Sequence, residues 1–275
     1  MNNTFDWNRF GKILRKDITD IRHRFGVTML IMALLPMAVW IIWGLINNVE
    51  YICGVSPFVR WGVMLMVSVL AAMVAPSSIY GNCNQKEGGV YFAMLPASKL
   101  EKFLSMLIVS ILVCPLMTLC GSLVVDVILT LIPFGPYEEW IWNMVINLDM
   151  PKDQVDPELQ YLLNPGLWIL LYAMELLSWG ATFIFTNTIF KRHKFWKTIL
   201  WIWIISFALQ IVFFIVFTMI FANIGKMDML WLERFAESDP VRLFKWAIGI
   251  NCTCNMAYSA ALILWSGSRL KKMAY

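Results

Sequence analysis

Within the stretch MLPASKLEKF, Ser98 stands three residues before Glu101, the spacing of a capping box. In that arrangement the serine hydroxyl accepts from the backbone N–H of Glu101 while the carboxylate accepts from the N–H of Ser98. A helix therefore starts at Lys99, and Pro96 separates it from what precedes, because proline biases the residue before it away from helical angles. Further carboxylates, Asp126 and Glu175, lie inside long apolar runs. A charge at the centre of a bilayer costs at least about 2.5–3.5 kcal/mol, so such acids face a bundle interior or wet path, reach headgroup water, or pair with a neighbour. Catalytic chemistry has little to work with. The histidines are His23 and His193, no H-E-x-x-H occurs, and the thiols of Cys252 and Cys254 would point about 200° apart on a helix, a poor chelating pair. No Ser, His and acid set falls at membrane depth, and there is no G-x-x-x-x-G-K-[ST]. The sequence thus predicts neither a metal site nor an enzyme, and ATP hydrolysis by the P-loop route would have to reside in another polypeptide.

The elements that hold these residues follow from composition. Of the 275 residues, 60% are hydrophobic and 15% charged, well below the roughly one-quarter charged share of soluble domains. Continuous apolar runs cover 27–46, 61–80, 104–132, 167–190, 198–222 and 244–265. Each is near the 20 residues that span a ~30 Å hydrocarbon layer as a helix, and barrel strands would alternate over about ten residues instead. The expectation is an all-α integral membrane protein with six transmembrane helices occupying 27–266. The first run follows 26 mostly polar residues and no small-residue cleavage site follows it, so it reads as a retained helix.

Orientation follows from the 22 Lys and Arg, most of which fall before the first run, in the second-to-third loop, in the fourth-to-fifth loop and in a basic tail at 267–275. The opposite side holds fewer, among them Arg60, Lys152 and Arg242, with most of the loop acids. The positive-inside bias then puts both termini in the cytoplasm, for a multi-pass cell-membrane protein such as one of a bacterial inner membrane. The net charge of +4 is a topology signal and not a sign of nucleic-acid binding. Trp40, Trp43, Trp61, Trp168 and Trp246 fall near outer ends and Trp196 and Trp265 near inner ones, as an aromatic belt requires; Trp179 does not fit.

Residues 1–26 carry Phe10, Ile13, Leu14, Ile18, Ile21 and Phe25 at helical spacing, with Lys12, Arg15, Lys16 and Arg22 elsewhere on the circumference. This predicts an amphipathic helix lying on the cytoplasmic lipid surface, the alternative being a juxtamembrane helix whose apolar face packs on the protein. The loop at 133–165 is predicted external, with a short helix over 138–146, and 225–239 has helical spacing as well. In the third run, Pro115 is placed to kink the helix. Asn187, Gln210, Asn251 and Asn255 are expected to make interhelical hydrogen bonds.

Between the second and third runs, Glu87 to Leu95 form a short apolar and aromatic patch, with Tyr91, Phe92 and Leu95 needing cover from the bilayer, the N-terminal helix or a partner. Glu87, Gly89, Leu95, Pro96, Ser98, Lys99, Glu101 and Lys102 resemble the second-to-third loop of type-2 ABC exporter permeases, whose pattern runs roughly E-x-G-T, a hydrophobic helix, then T-P-V-S-R-x-E. Val90 stands where that pattern has Thr, Lys99 where it has Arg, and Phe103 follows without the usual Gly. The resemblance implies a cytoplasmic coupling helix, with Glu87, Gly89, Tyr91, Phe92 and Leu95 docking onto a separate P-loop ATPase that binds ATP and Mg, and with Pro96, Ser98, Glu101 and Lys102 as hinge and cap. It further implies an ATP-driven exporter built from a second permease copy, identical or related, moving a lipid, amphipathic peptide or drug-like compound past Asp126 and Glu175. A non-transporting scaffold or immunity protein using the same loop is the alternative.

Overall fold

A computed structural model of the chain describes residues 5–46, 57–84, 89–90, 92, 94–131, 140–141, 165–224 and 240–272. Every described element is helical: α1 (Trp7–Arg24), α2 (Gly26–Ile46), α3 (Pro57–Ile79) with a 3-10 turn at Gly81–Asn84, α4 (Lys99–Leu131), α5 (Pro165–Ile189), α6 (Lys194–Ile224) and α7 (Pro240–Lys272). The apolar runs read from the sequence each fall in one of α2 to α7. Among the described residues, five helices are long and apolar enough to cross a membrane by themselves, and six if α1 and α2, bent by 66° at their junction, count as one span. The chain is a multi-pass membrane protein by length and composition of its helices. The helices expected over 138–146 and 225–239 lie outside the described residues, apart from Trp140 and Ile141.

Helix α1 starts where the side chain of Asp6 accepts from the N–H of Asn8, and its last turn carries Arg22 and Arg24, cations that suit the negative end of a helix dipole. Its apolar stripe is met by protein: Phe10, Ile13, Ile21 and Phe25 are buried, and only Ile18 of the stripe is exposed. Between the alternatives of a lipid-facing and a protein-facing stripe, the packing matches the second. The 66° bend at Phe25 lets the stripe turn under the bundle instead of continuing into α2.

Helix α4 begins at the capping box and runs without a break past Pro115. The expected kink takes another form, a π-helical turn at Val109–Val113 just before the proline. Proline removes an N–H and pushes its ring toward the carbonyl four residues back, here that of Ile111; a widened turn makes room for the ring without bending the helix sharply. The wide turn is also a packing surface. A Cβ on Gly180 of α5 would sit 2.7 Å from Ile111 Cγ1, so the helices approach this closely only because residue 180 has no side chain.

The core lies at the end of the bundle where α1 meets α3 and α4. Ile21 and Phe25 pack with Ala71, Ala75, Ile79, Tyr80, Met106, Val109, Cys114, Ile184 and Leu270, so five helices contribute. Ala71, Ala72 and Ala75 are fully enclosed, the small residues that allow close approach where lipid gives no hydrophobic drive between helices.

Candidate functional site

The predicted capping box is present, and it does more than start a helix. Ser98 Oγ accepts from the N–H of Glu101 at 3.2 Å, and Glu101 Oε2 accepts from the N–H of Ser98 at 2.9 Å. The second carboxylate oxygen, Oε1, reaches across to the N-terminal helix, accepting from the N–H of Asp6 at 2.8 Å and from Arg9 Nη2 at 3.2 Å. Glu101 has no exposed surface. One buried carboxylate thus closes the N-terminus of α4 and ties it to the cap of α1, more than 90 residues away in sequence.

Asp17 provides a second tie. It sits in the apolar stripe of α1, four residues after Ile13 and four before Ile21, and is buried. Its Oδ2 accepts from Tyr80 Oη at 2.8 Å and from Ser105 Oγ at 2.6 Å, so α1, the end of α3 and α4 converge on one acid. Lys16 Nζ lies 3.6 Å from Oδ1. Sequence reasoning missed Asp17, although a lone acid on the buried stripe of an amphipathic helix was the signal. The site is dry enough to hold its neutral groups neutral: burial, with the nearby Asp17 charge, keeps the Tyr80 phenol well above its ordinary range. Burial also pushes the Cys83 thiol up to about 12. Arg24 Nη1 donates to the carbonyl of Ile79 at 3.2 Å, satisfying one of the last carbonyls of α3.

Ahead of the capping box, residues 89–94 include helical turn at Gly89, Val90, Phe92 and Met94. Gly89 is buried; Phe92 and Leu95 are half-buried, and Phe92 packs against the core. Lys102, itself buried, donates from Nζ to the carbonyl of Phe92 at 2.7 Å and lies 5.3 Å from the centre of its ring. Phe92 is therefore an inward anchor. The apolar side chains turned outward are Val90 and Met94, 41% and 73% exposed, which share a face by their spacing of four. Pro96 is exposed. Glu87 and Tyr91 lie outside the described residues.

Asp126 does not reach headgroup water. It is 2% exposed and its Oδ2 accepts from Arg60 Nη2 at 3.1 Å, with Arg60 fully buried. Arg60 reads from the sequence as an external loop charge, but α3 starts at Pro57, before the apolar run, and carries it into the bundle. Pairing makes the burial of both charges tolerable. Glu175 is different. It is exposed on α5, and its Oε2 accepts from the indole N–H of Trp179 at 2.7 Å, one turn along the same helix. That bond accounts for the tryptophan outside the aromatic belt.

Asn187 makes the expected interhelical bonds, donating to the carbonyls of Pro76 at 3.1 Å and Tyr80 at 3.3 Å. Its own carbonyl accepts from Lys194 Nζ at 3.1 Å, and Asn84 Nδ2 donates to Thr188 O at 2.9 Å. These bonds fasten the end of α3 to the α5–α6 turn. Asn255 and Asn251 depart from expectation: Asn255 Nδ2 donates to Asn251 Oδ1 at 2.7 Å within α7, these residues lying one turn apart with Asn251 exposed. Gln210 is exposed. Comparison with protein-family models, curated proteins and solved structures returns no match.

Proposed function

We propose that this chain is the membrane-spanning permease subunit of an ATP-driven exporter, docking a separate P-loop ATPase through residues 85–102. The reading places it in a cell membrane such as a bacterial inner membrane, with six spans, both termini in the cytoplasm and a second permease copy beside it. The observation that carries it is the wiring of the loop. Val90 and Met94 face outward as an apolar contact, while Phe92 is held by Lys102 and the following turn is held by Glu101 to the N-terminal helix. A partner that displaced Val90 and Met94 would push on the first turn of α4 and on α1 together. Direct hydrogen bonds of 2.7 and 2.8 Å, from Lys102 to Phe92 and from Asp6 to Glu101, would carry the displacement onward. The resemblance to type-2 ABC exporter permeases supplies the class of partner, and the absence of a P-loop in the chain is in keeping with it.

The test is co-purification of the native complex from membranes, with Mg·ATP hydrolysis measured on the recovered material. Wild type should bring down an ATPase subunit, and Val90→Glu with Met94→Glu should lose it while the permease still folds. Recovery of no ATPase, or equal recovery with the double variant, overturns the proposal. An associated protein without ATPase activity would favour the scaffold reading instead.

A further inference from the structure

Helices α5 and α7 run in the same direction, since Thr182 meets Tyr258 (Oγ1 to Oη, 3.0 Å) and, further along both, Phe185 stacks on Trp265 at 5.0 Å. Counting back from the first of these contacts gives the same series on each helix. Glu175, Trp179 and Thr182 stand at i, i+4 and i+7 on α5; Asn251, Asn255 and Tyr258 stand at i, i+4 and i+7 on α7. Seven residues are within about 20° of two full turns and rise about 10.5 Å, so each series is one stripe. The stripes meet at their third members, and from there both run toward the N-terminal ends of their helices.

Short of that contact, the polar groups of the stripes bond, among the described residues, within their own helices. Trp179 donates to Glu175 Oε2 at 2.7 Å and Asn255 donates to Asn251 Oδ1 at 2.7 Å. Glu175, Asn251 and Tyr258 are exposed, and Trp179 and Asn255 partly so. Among the described residues, Glu175 Oε1 and Asn255 Oδ1 accept no hydrogen bond. Glu175 is the one charged member of the stripes and lies about 15 Å along a helix that spans the membrane. An acid in such a position calls for a counterpart, because lipid tails offer no hydrogen bonds.

We propose that the paired stripes form an intramembrane site for an amphiphile with a protonated amine. The ammonium donates to Glu175 Oε1 and Asn255 Oδ1 and lies against the rings of Trp179 and Tyr258, which attract cations through their faces. Its hydrocarbon body lies along apolar side chains that continue the two stripes, Trp168 seven residues before Glu175 and Ile248 three before Asn251. Charge complementarity selects the occupant: two acceptors and two aromatic faces along two turns disfavour an anionic headgroup and leave a neutral chain with no charge-assisted bond. This deepens the exporter reading by naming a substrate class, while binding itself requires no ATPase.

The test uses the full chain in phosphatidylcholine nanodiscs, titrated with radiolabelled dodecylamine and, in parallel, with dodecanol. Saturable dodecylamine binding above that of empty discs is expected, weakened at least about tenfold by Glu175→Gln, as loss of one charge-assisted pair implies, and a few-fold by Asn255→Leu. Size-exclusion behaviour reports whether each variant remains folded; if Glu175→Gln does not, Asn255→Leu alone carries the comparison. Equal binding by wild type and the folded variants, or by the alcohol and the amine, overturns the site. So does a dimer that either variant converts to monomer with no amine bound, which would make the stripes a contact between copies. Failure here leaves the ATPase result untouched, and amine binding without ATP-driven movement would remove the exporter reading but keep the site.

Discussion

The polar groups of this protein divide between two regions that treat them in opposite ways. Where α1, α3 and α4 meet, Glu101 and Asp17 are enclosed and bonded to more than one element, Glu101 to α1 and its own cap and Asp17 to Tyr80 and Ser105; toward the other end of α3 and α4, Asp126 is enclosed against Arg60. On the outward faces of α5 and α7, Glu175, Asn251 and Asn255 are bonded only along their own helices. Burial follows that division for α7 and not for α5: 44%, 39% and 44% of the most apolar stretches of α3, α4 and α5 are buried, against 6% in α7. Enclosed polar groups with partners from several elements fix a geometry. Open polar groups with spare acceptors leave capacity for something else.

This contrast can be broken by experiment. The largest expected effect is chemical. With its thiol pushed up to about 12, Cys83 should alkylate at pH 8 roughly three orders of magnitude more slowly than an ordinary exposed thiol, and the rate should rise about tenfold per pH unit. Mass spectrometry after timed iodoacetamide pulses checks this, and labelling at the ordinary rate would mean that the enclosed region is open in solution. Next, Asp126→Ala should destabilise the chain by about 3–5 kcal/mol by leaving the Arg60 charge buried without its acid. Arg60→Met combined with Asp126→Leu should recover most of that loss in a thermal melt, as apolar replacements of buried pairs do.

Smaller, at about 2–3 kcal/mol, is Glu101→Ala, which strands the N–H groups of Asp6 and Ser98 together. Protease nicking near residue 6 should appear in that variant before global unfolding does. The smallest expected effect is at the open face, where Glu175→Gln should change stability by no more than about 0.5 kcal/mol. A large loss there would place Glu175 among the structural acids and erase the contrast.

The sequence made some of this legible and left the rest unreadable for physical reasons. The spans could be read because a helix in lipid must satisfy its backbone internally and present apolar side chains for its whole length. The capping box could be read because it is a contact between residues three apart. The stripe on α1 was visible too, but the same periodicity serves a lipid surface and a protein surface alike, and only packing against α4 chose between them. Asp17 was missed, and Arg60 looked like a loop charge, because their partners Tyr80, Ser105 and Asp126 are more than 60 residues away.

By itself, then, the sequence determined the solvent of this protein, the number and extent of its apolar runs, and where α4 begins, all of which depend on hydropathy and on neighbours within a turn. Tertiary structure alone decided that one oxygen of Glu101 belongs to the N-terminal helix, that Phe92 points inward while Val90 and Met94 point out, and that the stripes of α5 and α7 meet at Thr182 and Tyr258. Hydrogen bonds between distant elements depend on helix rotation and register, which a hydropathy pattern constrains to a face but not to an atom.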